Sequence, residues 1–137
     1  MLRIGFQPSI VSPWITLPPL RLGKLPSGLG TADLLVTITQ DDHPLRRVDL
    51  YAGEISAPFE AAIAWRELVF LGYGNSVYVI DPHKPSGSMI ELGSYFSKFY
   101  AATDYLLVAS GEQLLASICT GWGHVAGLRA WDRWCCR

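Results

Sequence analysis

Apolar side chains along this chain come in short runs separated by Gly, Pro, Asn and Asp, with no long stretch of helical period. The stretch Leu68 to Asp81 organises the rest. Two β-branched-rich runs, Val69 to Leu71 and Val77 to Ile80, flank Gly72-Tyr73-Gly74-Asn75-Ser76, which reads as strand, turn, strand. Neither run alternates apolar with polar, so both faces of each strand should be covered, as in an inner strand of a layered β protein. Asp33 to Gln40 reads as another strand, with Val36 and Ile38 on one side and Thr37 and Thr39 on the other. Asp41-Asp42-His43-Pro44 is a polar turn into Leu45 to Tyr51, a strand expected antiparallel to the last. Ala61 to Trp65, Met89 to Leu92 and Tyr105 to Ala109 complete the strand expectations.

Two segments read differently. Phe96, Phe99 and Tyr100 fall at i, i+3 and i+4 behind Ser94, a candidate N-cap, which predicts a short helix over Tyr95 to Ala101 with those rings plugging the core. Residues 1–30 carry five prolines, Pro8, Pro13, Pro18, Pro19 and Pro26, among Phe6, Ile10, Trp14, Ile15, Leu17, Leu20 and Leu22. Such a segment suits an extended arm laid on the body, pairing briefly as an edge strand near Trp14 to Leu17.

The central hairpin recurs. A shift of 37 positions lays Val69-Phe70-Leu71 on Leu106-Leu107-Val108, Gly74 on Gly111, and Val77-Tyr78-Val79 on Leu114-Leu115-Ala116 without a gap. A looser third copy pairs Leu34 to Thr39 with Leu45 to Leu50. Spacings of this size point to blades or arrays.

Phe70-Leu71-Gly72-Tyr73-Gly74-Asn75-Ser76-Val77-Tyr78-Val79-Ile80-Asp81 resembles one repeat of the pyrroloquinoline-quinone-type (quinoprotein-like) β-propellers. Val108-Ala109-Ser110-Gly111-Glu112-Gln113-Leu114-Leu115-Ala116 resembles a second. The family's repeat is an apolar strand, a Gly-containing turn, then Leu-Tyr-Ala-Leu-Asp. This chain departs from it: no tryptophan follows the turn at Gly87, and Ile118 stands opposite Asp81 in the second copy. A closed propeller needs at least four blades of roughly 40 residues, more than 137 residues supply. The strand and turn pattern, with the 37-residue repeat, predicts an open, mostly β fold: antiparallel hairpins in two or three layers, propeller-blade-like repeats and one short helix. Its divisions are an N-terminal arm over 1–30, a β domain over 31–118 and an atypical tail over 119–137.

That tail holds all three cysteines and three of the five tryptophans, Trp122, Trp131 and Trp134. Gly, Arg, Trp and Cys are what a GC-rich gene encodes when read out of frame, which predicts a frame shift near Gly121 and loss of a native C-terminal half. The other reading is a genuine terminal strand or helix with Leu128 and Trp131 packing on the core.

Charge excludes one class of partner. Eleven basic and twelve acidic side chains are scattered, the net charge is −1, and no basic stripe suited to nucleic acid is present. No run reaches the roughly 18 apolar residues of a membrane span, and the N-terminus lacks a signal-peptide pattern. Three cysteines, an odd number gathered near one end, do not make a secreted disulfide framework. A cytoplasmic, bacterial protein is expected.

Chemistry-bearing residues are few. Cys119, His124, Cys135 and Cys136 hold zinc-type donors, but adjacent cysteines do not supply the paired spacing of structural sites. We expect no metal, no cofactor and no catalytic residue. Asp81-Pro82-His83 is the ligand-binding candidate, because it leaves the best-ordered hairpin. Asp41-Asp42-His43 is a second, against the reading that aspartates there bond their own turn. Tyr95, Tyr105, Trp122, Trp131 and Trp134 are the interface candidates, since rigid aromatic rings are favoured at contacts. The sequence thus favours a non-catalytic binding domain whose partner is another protein, or a second copy through an exposed sheet edge. The alternative is an enzyme or ligand-binding fragment using the Asp81–His83 loop or the Asp41–His43 turn.

Overall fold

The computed structural model describes residues 1–52, 59–111, 114–118 and 121–123, the last two stretches by their backbone course. Twelve strands in the described residues form three four-stranded sheets. The first joins β1 (Leu2–Gln7), β2 (Pro19–Gly23), β3 (Leu34–Gln40) and β4 (His43–Tyr51) in the order β1-β3-β4-β2. The second is an antiparallel meander of β5 (Glu60–Trp65), β6 (Leu68–Tyr73), β7 (Ser76–Asp81) and β8 (Ser86–Glu91). The third, β9 (Phe96–Ala101), β10 (Tyr105–Ser110), β11 (Leu114–Ile118) and β12 (Gly121–Gly123), is again an antiparallel meander. Among the described residues no helix is long and apolar enough to cross a membrane.

The second sheet lies between the other two, which explains why β6 and β7 lack alternation. Val69, Leu71, Tyr78 and Ile80 point to one side, into a core shared with Val36, Ile38, Val48 and Leu50 of the first sheet. Phe70, Val77 and Val79 point to the other, into a core with Phe96, Phe99, Leu106 and Val108 of the third. Register makes the two sets consistent: Val69 faces Ile80, Phe70 faces Val79 and Leu71 faces Tyr78 across the ladder. Gly72 lies on the second of these faces, and a Cβ there would sit 2.3 Å from the Phe96 ring. Only a residue without a side chain lets the third sheet approach so closely.

The hairpin turns follow the strand twist. Asp41 and Asp42 (φ 49° and 64°) close β3–β4, and Arg66 and Glu67 (φ 51° and 65°) close β5–β6. Two consecutive positive φ values are the signature of the tight turn whose twist matches antiparallel strands. Arg66 offsets its strained backbone with contacts: Nη2 donates to the Thr103 carbonyl at 2.6 Å, and the guanidinium lies 5.2 Å over the Trp65 ring. Beside it, Trp65 Nε1 donates to the Ala102 carbonyl at 2.8 Å, tying the β5–β6 turn to the β9–β10 turn.

Two expectations are corrected. Residues 96–101 form strand β9, not a helix. Pairing with β10 puts Phe99 opposite Val108 in the core and Tyr100 opposite Leu107, so Tyr100 is 48% exposed and only Phe96 and Phe99 plug the interior. The i, i+3 spacing of the two phenylalanines survives in a strand because the register slips between Ala109 and Ser110. In the N-terminal arm, Trp14–Thr16 is a 3₁₀ turn and the pairing falls on either side of it, in β1 and β2. Pro19 opens β2, a position where its missing N–H is tolerated on an edge strand.

Strands β1 and β2 run parallel to each other at opposite edges of the first sheet, since β1 is antiparallel to β3 and β2 parallel to β4. The sheet's outer face is polar. Arg47 clamps Asp49 through Nε and Nη2, both at 2.9 Å, and Gln7 Nε2 donates to Thr37 Oγ1 at 3.2 Å.

Candidate functional site

Asp81 ends β7, and the loop to β8 is shorter than the sequence suggests, because β8 begins at Ser86. The Asp81 carboxylate accepts the His83 backbone N–H at 3.1 Å and faces Lys84 Nζ at 3.7 Å, while the Lys84 N–H closes the turn on the Asp81 carbonyl. Arg46 Nε donates to the Pro82 carbonyl at 3.2 Å, docking the loop on β4. The aspartate is thus engaged by its own turn, and the His83 side chain is exposed to solvent.

The Asp41–His43 turn is held in the same manner. The N-terminal ammonium bonds Asp41 Oδ1 at 2.7 Å, and Arg3 pairs with Asp42 at 3.1 Å. The hydrogen bond from the ammonium, then its charge, holds the Asp41 carboxyl below the ordinary range, with a smaller contribution from His43. Among the described residues no three His, Cys, Asp or Glu side chains gather as metal ligands would. Cys119, His124, Cys135, Cys136, Trp131 and Trp134 lie outside the described residues. Trp122 stands in β12, its backbone opposite Ser117.

The aromatic candidates lie on the third sheet and its approaches. Tyr95 immediately precedes β9, is 43% exposed, and stacks on Phe59 with ring centroids 6.3 Å apart and planes 29° apart. Tyr105 opens β10 and is 43% exposed. Alternation along β10 sends Leu106 and Val108 to the core and Tyr105, Leu107 and Ala109 to the opposite, outer face. Tyr100 joins them across the ladder from Leu107, and Lys98 across from Ala109, with the Lys98 ammonium 5.0 Å over the Tyr100 ring. On the far side of β10 the residues paired with Leu107 and Ala109 are Ala116 and Leu114.

Tyr100 and Leu107 are the members of this surface that reasoning from sequence missed. The helical reading of 95–101 turned Tyr100 inward. The signal that finds them is the same lack of alternation that marked β6: Leu106-Leu107-Val108-Ala109 is apolar at every position. The described residues of this surface offer area and rings for contact. No family model matches the sequence, and no curated protein or solved structure is significantly similar to it.

Proposed function

We propose that the chain is a non-catalytic interaction module, an open run of propeller-blade-like sheets that binds a protein partner through the outer face of its third sheet. The observation carrying this reading is the contrast between two kinds of candidate. Asp81 and Asp41 are occupied by their own turns, whereas Tyr100 and Tyr105 are held on a rigid sheet with nearly half of their surface in water. Exposed tyrosines on regular strands supply contact area at little entropic cost. The blade-like description is supported by two successive four-stranded meanders whose second and third strands align at the 37-residue shift. The resemblance to quinoprotein-like repeats agrees with it, since propellers serve widely as scaffolds.

The test is affinity capture of partners by the purified chain, with two double variants alongside. Tyr100→Ala/Tyr105→Ala should lose the captured protein, and Asp81→Asn/His83→Ala should retain it. The opposite pattern refutes the proposal and returns the loop as the site.

A further inference from the structure

We propose that the free edge of β8 is a seat for an extended peptide segment of a partner protein, which adds to the second sheet as a further strand. The site is separate from the face described above and does not depend on it.

Two tight turns fix which way each backbone group points. Trp65 and Leu68 close the turn at Arg66-Glu67, and Tyr73 and Ser76 close the one at Gly74-Asn75. The pair that closes a two-residue turn exchanges both N–H···O bonds, and every second pair beyond it does the same. In β6, Leu68, Phe70 and Gly72 therefore bond β5, while Val69, Leu71 and Tyr73 bond β7. Carried across β7, the alternation gives Ser76, Tyr78 and Ile80 to β6. It leaves Val77, Val79 and Asp81 to bond Ile90, Ser88 and Ser86 of β8. The Leu92 N–H on the Asn75 carbonyl, at 2.8 Å, continues the same series. Neither ladder shifts register, so Gly87, Met89 and Glu91 turn their N–H and C=O groups away from β7, and β8 is the last strand of its sheet.

The other described edges are crowded or blunted. Strands β1, β5 and β9, each at an edge of its own sheet, lie side by side. Strand β2 is short and opens on Pro19, and β12 has three residues. Strand β8 runs for six residues with no proline, lysine, arginine or bulge, and Met89 and Glu91 are exposed. A row of outward donors and acceptors on alternate residues is complementary to one kind of occupant, another extended chain. The side chains of Gly87, Met89 and Glu91 share the face toward the first sheet, where Leu22 lies 3.1 Å from the place of a Gly87 Cβ. Antiparallel pairing is the stronger per residue. Such a guest fits best with a basic residue opposite Glu91 and apolar residues opposite Met89 and Gly87, the last beside Leu22. A contact of this size belongs with weak, transient interfaces, and a Kd on the order of 100 μM is expected.

The probe is the end-blocked peptide Lys-Thr-Val-Thr-Val, titrated into the isotope-labelled full chain and followed by amide NMR. The Gly87, Met89 and Glu91 amide signals should move and their hydrogen exchange should slow, with saturation on the order of 1 mM peptide. N-methylation of the central valine removes a donor that faces β8 and should weaken binding at least tenfold. N-methylation of the first threonine, whose N–H faces away, should leave it within about twofold. Met89→Pro deletes only an outward N–H, so it should keep the parent's circular dichroism and lose the peptide. Tyr100→Ala/Tyr105→Ala should bind the peptide as the parent does, which separates this test from that of the third sheet. Unmoved amides at the highest peptide concentration overturn the proposal, as do equal binding of the two methylated peptides or full binding by Met89→Pro. So does a chain that dimerises without peptide and ceases to as Met89→Pro, since the edge is then taken by a second copy.

Discussion

Gly72→Ala tests how the second and third sheets meet. The new methyl carbon would lie 2.3 Å from Phe96 Cε2 and Cζ and 2.4 Å from Cδ2. Carbon atoms rest in contact at about 3.5–4.0 Å, so ring and methyl must separate by more than about 1 Å. Phe96 has no exposed surface and packs on Phe99 at 4.7 Å between centroids, which leaves the ring little room to retreat. Overpacking of this kind costs about 1–3 kcal/mol, and the upper end applies here. Replacing glycine in a strand returns about 0.5–1 kcal/mol, for a net loss of about 2 kcal/mol. Urea denaturation followed by tryptophan fluorescence, with unchanged m, reads that loss as a lower midpoint. The decisive arm is the cycle with Phe96→Leu, which shortens the side chain: in that background Gly72→Ala should cost almost nothing, a coupling of about 2 kcal/mol. Equal cost in both backgrounds would show that the ring does not rest on Gly72 and that the two sheets meet elsewhere.

Other elements give separate expectations. Glu67→Gly relieves a positive φ that L-residues adopt at a cost of about 1–2 kcal/mol, and a thermal melt should show a gain near 1 kcal/mol after glycine's own entropy cost; no gain would mean the turn is held by tertiary contacts. Arg47→Ala leaves the Asp49 carboxylate, 7% exposed, without its clamp. We expect a loss of about 2–3 kcal/mol, below the roughly 3–5 kcal/mol for a fully buried pair because Arg47 keeps some contact with water, and Arg47→Met/Asp49→Leu should recover most of it in urea. Burial pushes the Tyr78 phenol above its ordinary value of 10.0, with a smaller opposing hydrogen bond from Ser76 and small upward contributions from Asp33 and Tyr73. The unfolded chain then releases this proton first, so stability holds below pH 10 and declines as pH rises from there toward the folded value. Tyr78→Phe should flatten that decline between pH 9.5 and 11 (approximate limits set around an unperturbed tyrosine near 10), and identical slopes would refute the assignment.

The strands were largely legible because the signals were local. Gly74-Asn75, with Gly74 at φ 61°, and Asp41-Asp42 mark their hairpins, and the unbroken apolar runs in β6 and β7 place them in a middle layer. The errors came where tertiary context outvoted spacing. Phe96, Phe99 and Tyr100 fit a helical face, yet strand pairing with β10 and a bulge reproduce the inward pair and turn the tyrosine out. Nor could local pattern show that Leu2–Gln7 and Pro19–Gly23 both edge one sheet, because those partners lie far along the chain. The candidate loop is legible from its prolines, but its end is not, since β8 takes over at Ser86 rather than Met89. That Asp81 spends its oxygens on His83 N–H and Lys84 is a geometric fact with no counterpart in composition.

The same rule that placed β6 carries a consequence for the two outer layers. In β3, Thr37 and Thr39 interrupt Val36 and Ile38, and the interrupting positions form a face whose polar groups bond one another: Gln7 to Thr37, Thr37 to the Gly5 carbonyl, Arg47 to Asp49. A sheet finished in this way gains nothing from another layer, because covering it would strip water from groups already satisfied. In β10 nothing polar interrupts Leu106 to Ala109, and on the β9 side the outward residues Leu107 and Ala109 stand opposite Tyr100 and Lys98 in the ladder. Continuous apolar character marks strands built for burial on two sides. The two outer layers therefore differ: the first sheet finishes its outer face with hydrogen bonds and an ion pair, whereas β10 places Tyr105, Leu107 and Ala109 on its own.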